Sequence, residues 1–77
     1  MARIIVLSID DINKSLSEIR KTGKFNSDCE YSRVPSVGEL ICIDVEGGGV
    51  KFKVMKVLHF QPKNKIYENV DAFVYVK

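Results

Sequence analysis

The chain has 77 residues, a formal net charge of +2 and an isoelectric point near 8.6. This length predicts one domain spanning residues 1–77 and limits how much apolar surface a single copy can bury. The positive charge is too small for a dedicated nucleic-acid binder, and it favours anionic partners only slightly.

The cysteines and the N-terminus indicate the cellular compartment. Cys29 and Cys42 are the two cysteines, and no CxxC pair or histidine cluster accompanies them, so a zinc site is not expected. The first residues do not have the pattern of a signal peptide, and every apolar run is too short to span a bilayer. We therefore predict a cytoplasmic protein with two reduced thiols, no metal and no cofactor.

The N-terminal third predicts a strand followed by a helix. Residues 3–9 (RIIVLSI) are apolar on both pleat faces, so both faces of this strand must be covered. Residues 10–24 change to a helical period of apolar side chains. Asp10 or Asp11 would cap this helix of roughly three turns, and Gly23 would end it.

The middle of the chain predicts two further strands. Residues 25–34 read as a short edge strand, and residues 35–39 (PSVGE) read as a turn. Residues 40–46 are expected to form a strand. The glycine triplet at 47–49 would then be the turn of a hairpin, because glycine reaches the positive φ that tight hairpins require.

The C-terminal third predicts a bulged strand, a loop and a last strand. Residues 50–60 begin with strict alternation, but Met55 and Lys56 interrupt it, which predicts a β-bulge. Residues 61–65 (QPKNK) are expected to form a polar loop, and residues 71–77 a strand that is apolar on both faces. The element order predicts an α+β fold: a small, mostly antiparallel SH3-like β-barrel of about five strands, with one helix inserted after the first.

Catalysis is not expected. His59 is the one histidine, and Cys42 lies in an apolar strand, where a thiol tends to be inert. The glycine triplet leads into a strand rather than a helix, so it does not match a phosphate-binding loop. The acidic residues are dispersed and suggest no two-carboxylate mechanism.

A basic row beside surplus aromatic residues is the strongest binding signal. Arg33, Lys51 and Lys53 would neutralise phosphate, and His59 would add a hydrogen bond. The candidates for stacking on an aromatic ligand are Tyr31, Phe73 and Tyr75. The alternative is a solvated strand face whose lysines prevent edge-to-edge pairing.

Several strands that are apolar on both faces also predict self-association. One face fills the core, and one helix can cover the second face of only part of the sheet. We therefore expect a homo-oligomer, in which the remaining apolar faces meet.

The segment RVPSVGELICI…GGGVKFKVMKVLHF…DAFVYVK resembles a group of small uncharacterised bacterial and phage SH3-like β-barrel proteins. The first shared motif is a V-P-x-V-G-E turn, and the second is an aromatic-x-V-x-x-V-x-H strand. The matching residues are Val34, Pro35, Val37, Gly38, Glu39, Phe52, Val54, Val57 and His59. The resemblance implies a barrel and a phage-derived binding protein acting in the host cytoplasm. Some proteins of this kind resemble inhibitors of host enzymes, and others look like oligomers that trap cyclic nucleotides.

Three binding functions remain open from the sequence, and a structural subunit with no ligand is the fourth alternative. The first is a non-enzymatic protein that sequesters a small anionic ligand, such as a cyclic nucleotide, at a homo-oligomer interface, with a counter-defence role. The second is a protein-binding inhibitor of a host defence enzyme. The third is weak binding of single-stranded nucleic acid, which would fall steeply with salt.

Overall fold

A computed structural model describes the backbone of residues 1–45, 48–64 and 69–77, and the side chains of 1–43, 48–60 and 69–77. It contains five strands, and one α-helix follows the first of them, as predicted. The strands are β1 (Ala2–Ser8), β2 (Asn26–Tyr31), β3 (Leu40–Val45), β4 (Gly48–Asn64) and β5 (Val70–Val76). A 3-10 turn (Ile9–Asp11) and helix α1 (Leu16–Thr22) lie between β1 and β2.

The strands form one curled, half-barrel sheet in the order β2-β1-β5-β4-β3. Three pairings are antiparallel, but β1 and β5 are parallel. The sheet is therefore mixed, which the hairpin-like spacing of the sequence did not indicate. It is compatible with a small SH3-like barrel.

Both faces of β1 and β5 are covered within one copy. On the concave face, apolar side chains of the curled sheet pack against one another around Ile4, Val6, Val54 and Val74. The convex faces of β1 and β5 lie under α1, where they form a second cluster: Ile5, Leu7, Leu16, Ile19, Val70, Phe73 and Tyr75. Because α1 covers these faces, their apolar character does not by itself require a second subunit, and self-association stays a prediction.

The predicted bulge lies in β4. Val54 is opposite Val76 and Lys56 is opposite Tyr75, so Met55 is the extra residue. If Met55 were instead part of a regular strand with no bulge, Lys56 and every later side chain of β4 would point to the opposite face. The bulge therefore directs Val57 to the concave core while Lys56 stays exposed on the outside.

The helix is shorter than predicted. It begins at Leu16 rather than near Asp10, because Ser15 is its N-cap and accepts a hydrogen bond from the Glu18 N–H at 3.4 Å. Asp10 and Asp11 lie instead in the 3-10 turn, which Ser8 caps. Gly23 does end the helix, but with an extended backbone rather than a left-handed one.

The hairpin and the following loop also differ from the prediction. Val45 pairs with Gly48, so the last two glycines of the triplet belong to β4, and residues 46–47 lie outside the described residues. The expected loop at 61–65 is partly strand, because β4 continues to Asn64, which pairs with Val70. Residue 65 lies outside the described part of the chain.

The turn before β3 matches its prediction. The Glu39 N–H donates to the Ser36 carbonyl at 3.1 Å, and Gly38 adopts a φ of +94°. A residue with a side chain is strained at this φ, which accounts for the glycine.

Strands β2 and β3 are the two edges of the described sheet, and the curl brings them towards each other. The Tyr31 hydroxyl on β2 donates to the Cys42 carbonyl on β3 at 3.2 Å. Phe25, which precedes β2, also contacts Phe52 on β4, with the two ring centroids 5.2 Å apart. Side chains rather than a strand ladder thus bridge this gap, which we call the seam.

Candidate functional site

Two predicted stacking residues are core residues. Phe73 is 7% exposed and Tyr75 is 5% exposed, and both pack beneath α1. The ring of Phe73 meets that of Phe60 edge-on at 4.9 Å, and burial raises the pKa of Tyr75. A ligand could stack on them only if α1 moved away from the sheet.

The predicted lysines occupy the outer side of β4. Lys51 and Lys53 alternate with the inward-facing Phe52, and the bulge adds Lys56 to the same side. All three are exposed, and none forms an ion pair with a residue whose side chain is described. We call this surface the lysine face. It carries no aromatic ring between its lysines, so it offers positive charge without a stacking surface.

Arg33 is already paired. Its guanidinium makes a two-bond contact with the Glu39 carboxylate, with nitrogen–oxygen distances of 2.8 and 2.5 Å. The Ser36 N–H also donates to Glu39, and together these bonds lower the pKa of Glu39 to about 2. Arg33 therefore holds the turn before β3, and a phosphate would have to compete with Glu39 for it.

Tyr31 and Arg33 share a small cleft at the seam, which we call the seam cleft. Its volume is about 170 Å³, and Pro35, Leu40 and Ile41 complete much of its wall. Ligand pockets for drug-sized molecules usually span about 300–1,000 Å³. The seam cleft therefore suits one side chain better than a whole nucleotide.

His59 lies apart from the other predicted residues. It is exposed and lines an open cavity of about 510 Å³ together with Met1, Val34 and Asp71. The Asp71 carboxylate accepts a hydrogen bond from the Arg3 backbone N–H at 2.7 Å. Among the described residues, no lysine or arginine lines this cavity to offset the Asp71 carboxylate, which makes it a poor place for a phosphate despite its size.

A combination of aromatic rings and lysines does occur, but at residues that the sequence analysis missed. Phe25 and Phe52 are partly exposed and line a cleft of about 260 Å³ with Lys24 and Lys77. We call this the phenylalanine cleft. The sequence signal was Lys24 next to Phe25, and Phe52 between two lysines. The missing information was the curl that brings Phe25 against Phe52.

The electrostatics of the phenylalanine cleft are mixed but favour an anion. The Lys24 ammonium lies 2.6 Å from the Asp10 carboxylate, which raises the pKa of Lys24. This pair is largely exposed, and exposed pairs contribute little and are screened by salt. Lys77 forms no ion pair with any described side chain. An entering phosphate can therefore meet Lys77 directly and compete with Asp10 for Lys24.

The Cys29 thiol shows no sign of activation. Burial, followed by the charge of Asp28, raises the pKa of Cys29, which keeps this thiol protonated. Among the described residues, no group of three or more His, Cys, Asp or Glu side chains could hold a metal ion. None of the helices in the described ranges is long and apolar enough to cross a membrane.

Comparison with known protein families, curated proteins and solved structures found no match to this chain. The function is therefore proposed from the geometry of the described residues.

Proposed function

We propose that the protein is a non-catalytic binding protein for a small anionic ligand that carries an aromatic ring, such as a nucleotide. The observation that supports this proposal is the phenylalanine cleft, where two partly exposed rings share the lining with Lys24, Lys77 and Asp10. The base would stack on Phe25 or Phe52, and the phosphate would lie against the two ammonium groups.

The size of the cleft limits what can be enclosed. Its 260 Å³ is just below the usual range for drug-sized ligands. A single base would fill it, and the sugar and phosphates would stay at the mouth. A second copy placed over that mouth would enclose a cyclic dinucleotide, as the sequence analysis expected for a homo-oligomer. The SH3-like grouping, the phage origin and the counter-defence role belong to this proposal as well.

Isothermal titration calorimetry with mononucleotides and cyclic dinucleotides tests the proposal. Replacing Lys24 and Lys77 together by Gln should weaken binding at least tenfold, because charge-assisted hydrogen bonds to two cations contribute about 1.5–3 kcal/mol each. Replacing Lys51 and Lys53 by Gln removes the same charge from the lysine face and is the matched control. The reverse pattern would move the site to the lysine face, and no heat with any nucleotide would refute the proposal.

Protein binding is the second candidate, as an inhibitor of a host enzyme. Its support is the apolar exposure beside the lysine face, where Leu40 is 71% exposed and Leu58 is 48% exposed. Single-stranded nucleic acid fits less well, because the lysine face lacks the rings on which successive bases would stack.

A further inference from the structure

The outer edge of β3 carries backbone groups with no strand partner in the described sheet. The Val54 N–H donates to the Glu39 carbonyl at 2.8 Å, and Ile41 pairs with Phe52 in the same register. Backbone groups of alternate residues in a strand point to the same side. The odd-numbered residues of β3 therefore face β4, while the N–H and C=O groups of Leu40 and Cys42 face away from it.

The bond from Tyr31 shows that this edge accepts hydrogen bonds. Its hydroxyl reaches the outward carbonyl of Cys42 at 3.2 Å, where an adjacent strand would otherwise donate an N–H. This is a single side-chain contact at an otherwise open edge. The outward N–H of Cys42 makes no backbone–backbone bond outside the β3–β4 ladder among the described residues.

Two neighbouring features determine which kind of strand could be added to this edge. The seam cleft of about 170 Å³ lies beside this edge and is lined by Tyr31, Pro35 and Ile41, which suits one aliphatic side chain. On the other face lie the exposed Lys51 and Lys53, opposite the small Cys42 and the exposed Leu40. Successive side chains of a strand point to opposite faces. An added strand would therefore direct alternate side chains to the cleft and to the lysines.

We propose that the outer edge of β3 binds an extended segment of a partner protein, which adds to the sheet as a further strand. The main-chain hydrogen bonds form with Leu40 and Cys42, and an aliphatic side chain enters the seam cleft. Acidic side chains of the segment face Lys51 and Lys53, which sets the chemistry of the partner: alternating aliphatic and acidic residues. This is the general mode of β-strand addition, in which the backbone supplies affinity and alternate side chains supply specificity.

The probe is a fluorescein-labelled octapeptide of alternating Val and Glu, followed by fluorescence anisotropy. We expect saturable binding that a peptide of alternating Val and Lys does not show. The substitution Cys42→Pro removes one outward N–H without touching the β3–β4 ladder, and proline is tolerated on such edges. It should weaken binding at least tenfold, whereas Cys42→Ala, which keeps the N–H, should not.

The substitution Tyr31→Phe tests the proposal through an expected gain of binding rather than a loss. It removes the hydroxyl that competes for the Cys42 carbonyl, so the octapeptide should bind about two- to tenfold more tightly. Amide hydrogen exchange of the wild-type chain gives a readout that does not depend on a variant's stability. The Val–Glu peptide should protect the amides of Leu40 and Cys42 and leave that of Ile41 unchanged.

Three results would overturn the proposal: no anisotropy change at millimolar peptide, equal binding by the Cys42→Pro and Cys42→Ala chains, or protection of other amides alone. Sedimentation that shows the edge occupied by a second copy would also overturn it. Nucleotide binding in the phenylalanine cleft should persist in the Cys42→Pro chain, so failure of either proposal is recognisable without the other.

Discussion

The burial of Phe73 can be tested directly, because a ligand-stacking residue and a core residue respond differently to truncation. Phe73 is 7% exposed and packs edge-on against Phe60. A buried Phe→Ala change costs about 3–5 kcal/mol. A chain of this length has a free energy of unfolding of roughly 4–12 kcal/mol, so Phe73→Ala would remove a large part of it.

The milder change Phe73→Leu keeps the chain folded enough to measure. It removes the ring pair, which contributes about 0.5–1.5 kcal/mol beyond burial. With a urea m-value of about 1 kcal/mol/M, the smallest in the usual range, the unfolding midpoint should fall by about 0.5–1.5 M. Circular dichroism during urea titration measures this shift.

Leu40→Ala is the control for Phe73→Leu. Leu40 is 71% exposed, so its truncation should change the free energy of unfolding by no more than about 0.5 kcal/mol. If Phe73→Leu left the midpoint unchanged while weakening nucleotide binding, Phe73 would be a surface residue. The position of α1 over the sheet would then be wrong.

Three further predictions concern local structure. Ser15→Ala should cost about 0.5–2 kcal/mol, measured by urea unfolding, because the cap of α1 is lost; an unchanged midpoint would contradict the cap. Deleting Met55 should leave the chain folded, seen as retained dispersed amide resonances, because Lys56 would then follow Val54 directly and Val57 would keep its place on the core face; loss of those resonances would refute the bulge. Because folding lowers the pKa of Glu39, its carboxylate stabilises the fold at pH values above its ordinary pKa of 4.5. This contribution is lost as the pH falls towards about 2. Between these pH values the wild-type urea midpoint should therefore fall more steeply than that of Glu39→Gln, and parallel curves would exclude the pairing with Arg33.

The strands were predictable because their signals are local. Alternation in β4 placed Lys51 and Lys53 outside and Phe52 inside, and the break in that alternation located the bulge at Met55. The start of α1 is harder to predict, because Asp10 and Asp11, next to Ile9, are also suitable N-cap residues. The Ser15–Glu18 spacing, which is a capping-box signal, was the better indicator.

The parallel pairing and the candidate site depended on long-range geometry. No local pattern indicates that β5 lies beside β1, and this placement buries Phe73 and Tyr75. A count of aromatic residues therefore predicts surplus rings without locating them: Phe73 and Tyr75 are buried, whereas Phe25 and Phe52 are partly exposed. The contact between Phe25 and Phe52 likewise results from the curl of the whole sheet, which sequence spacing does not encode.

The central position of β5 also bears on the order in which the chain folds. Strands β3 and β4 can pair as a hairpin as soon as both are synthesised, and β1 can pair with β2 in the same way. In the described sheet, the strand pairing that joins these two halves runs through β5, since Ile4 lies beside Ala72 and Val57 lies beside Val74. Such distant contacts are slow to form. While β5 is still inside the ribosome, the nascent chain therefore holds two unjoined halves with exposed apolar faces. The last strand to emerge completes the sheet.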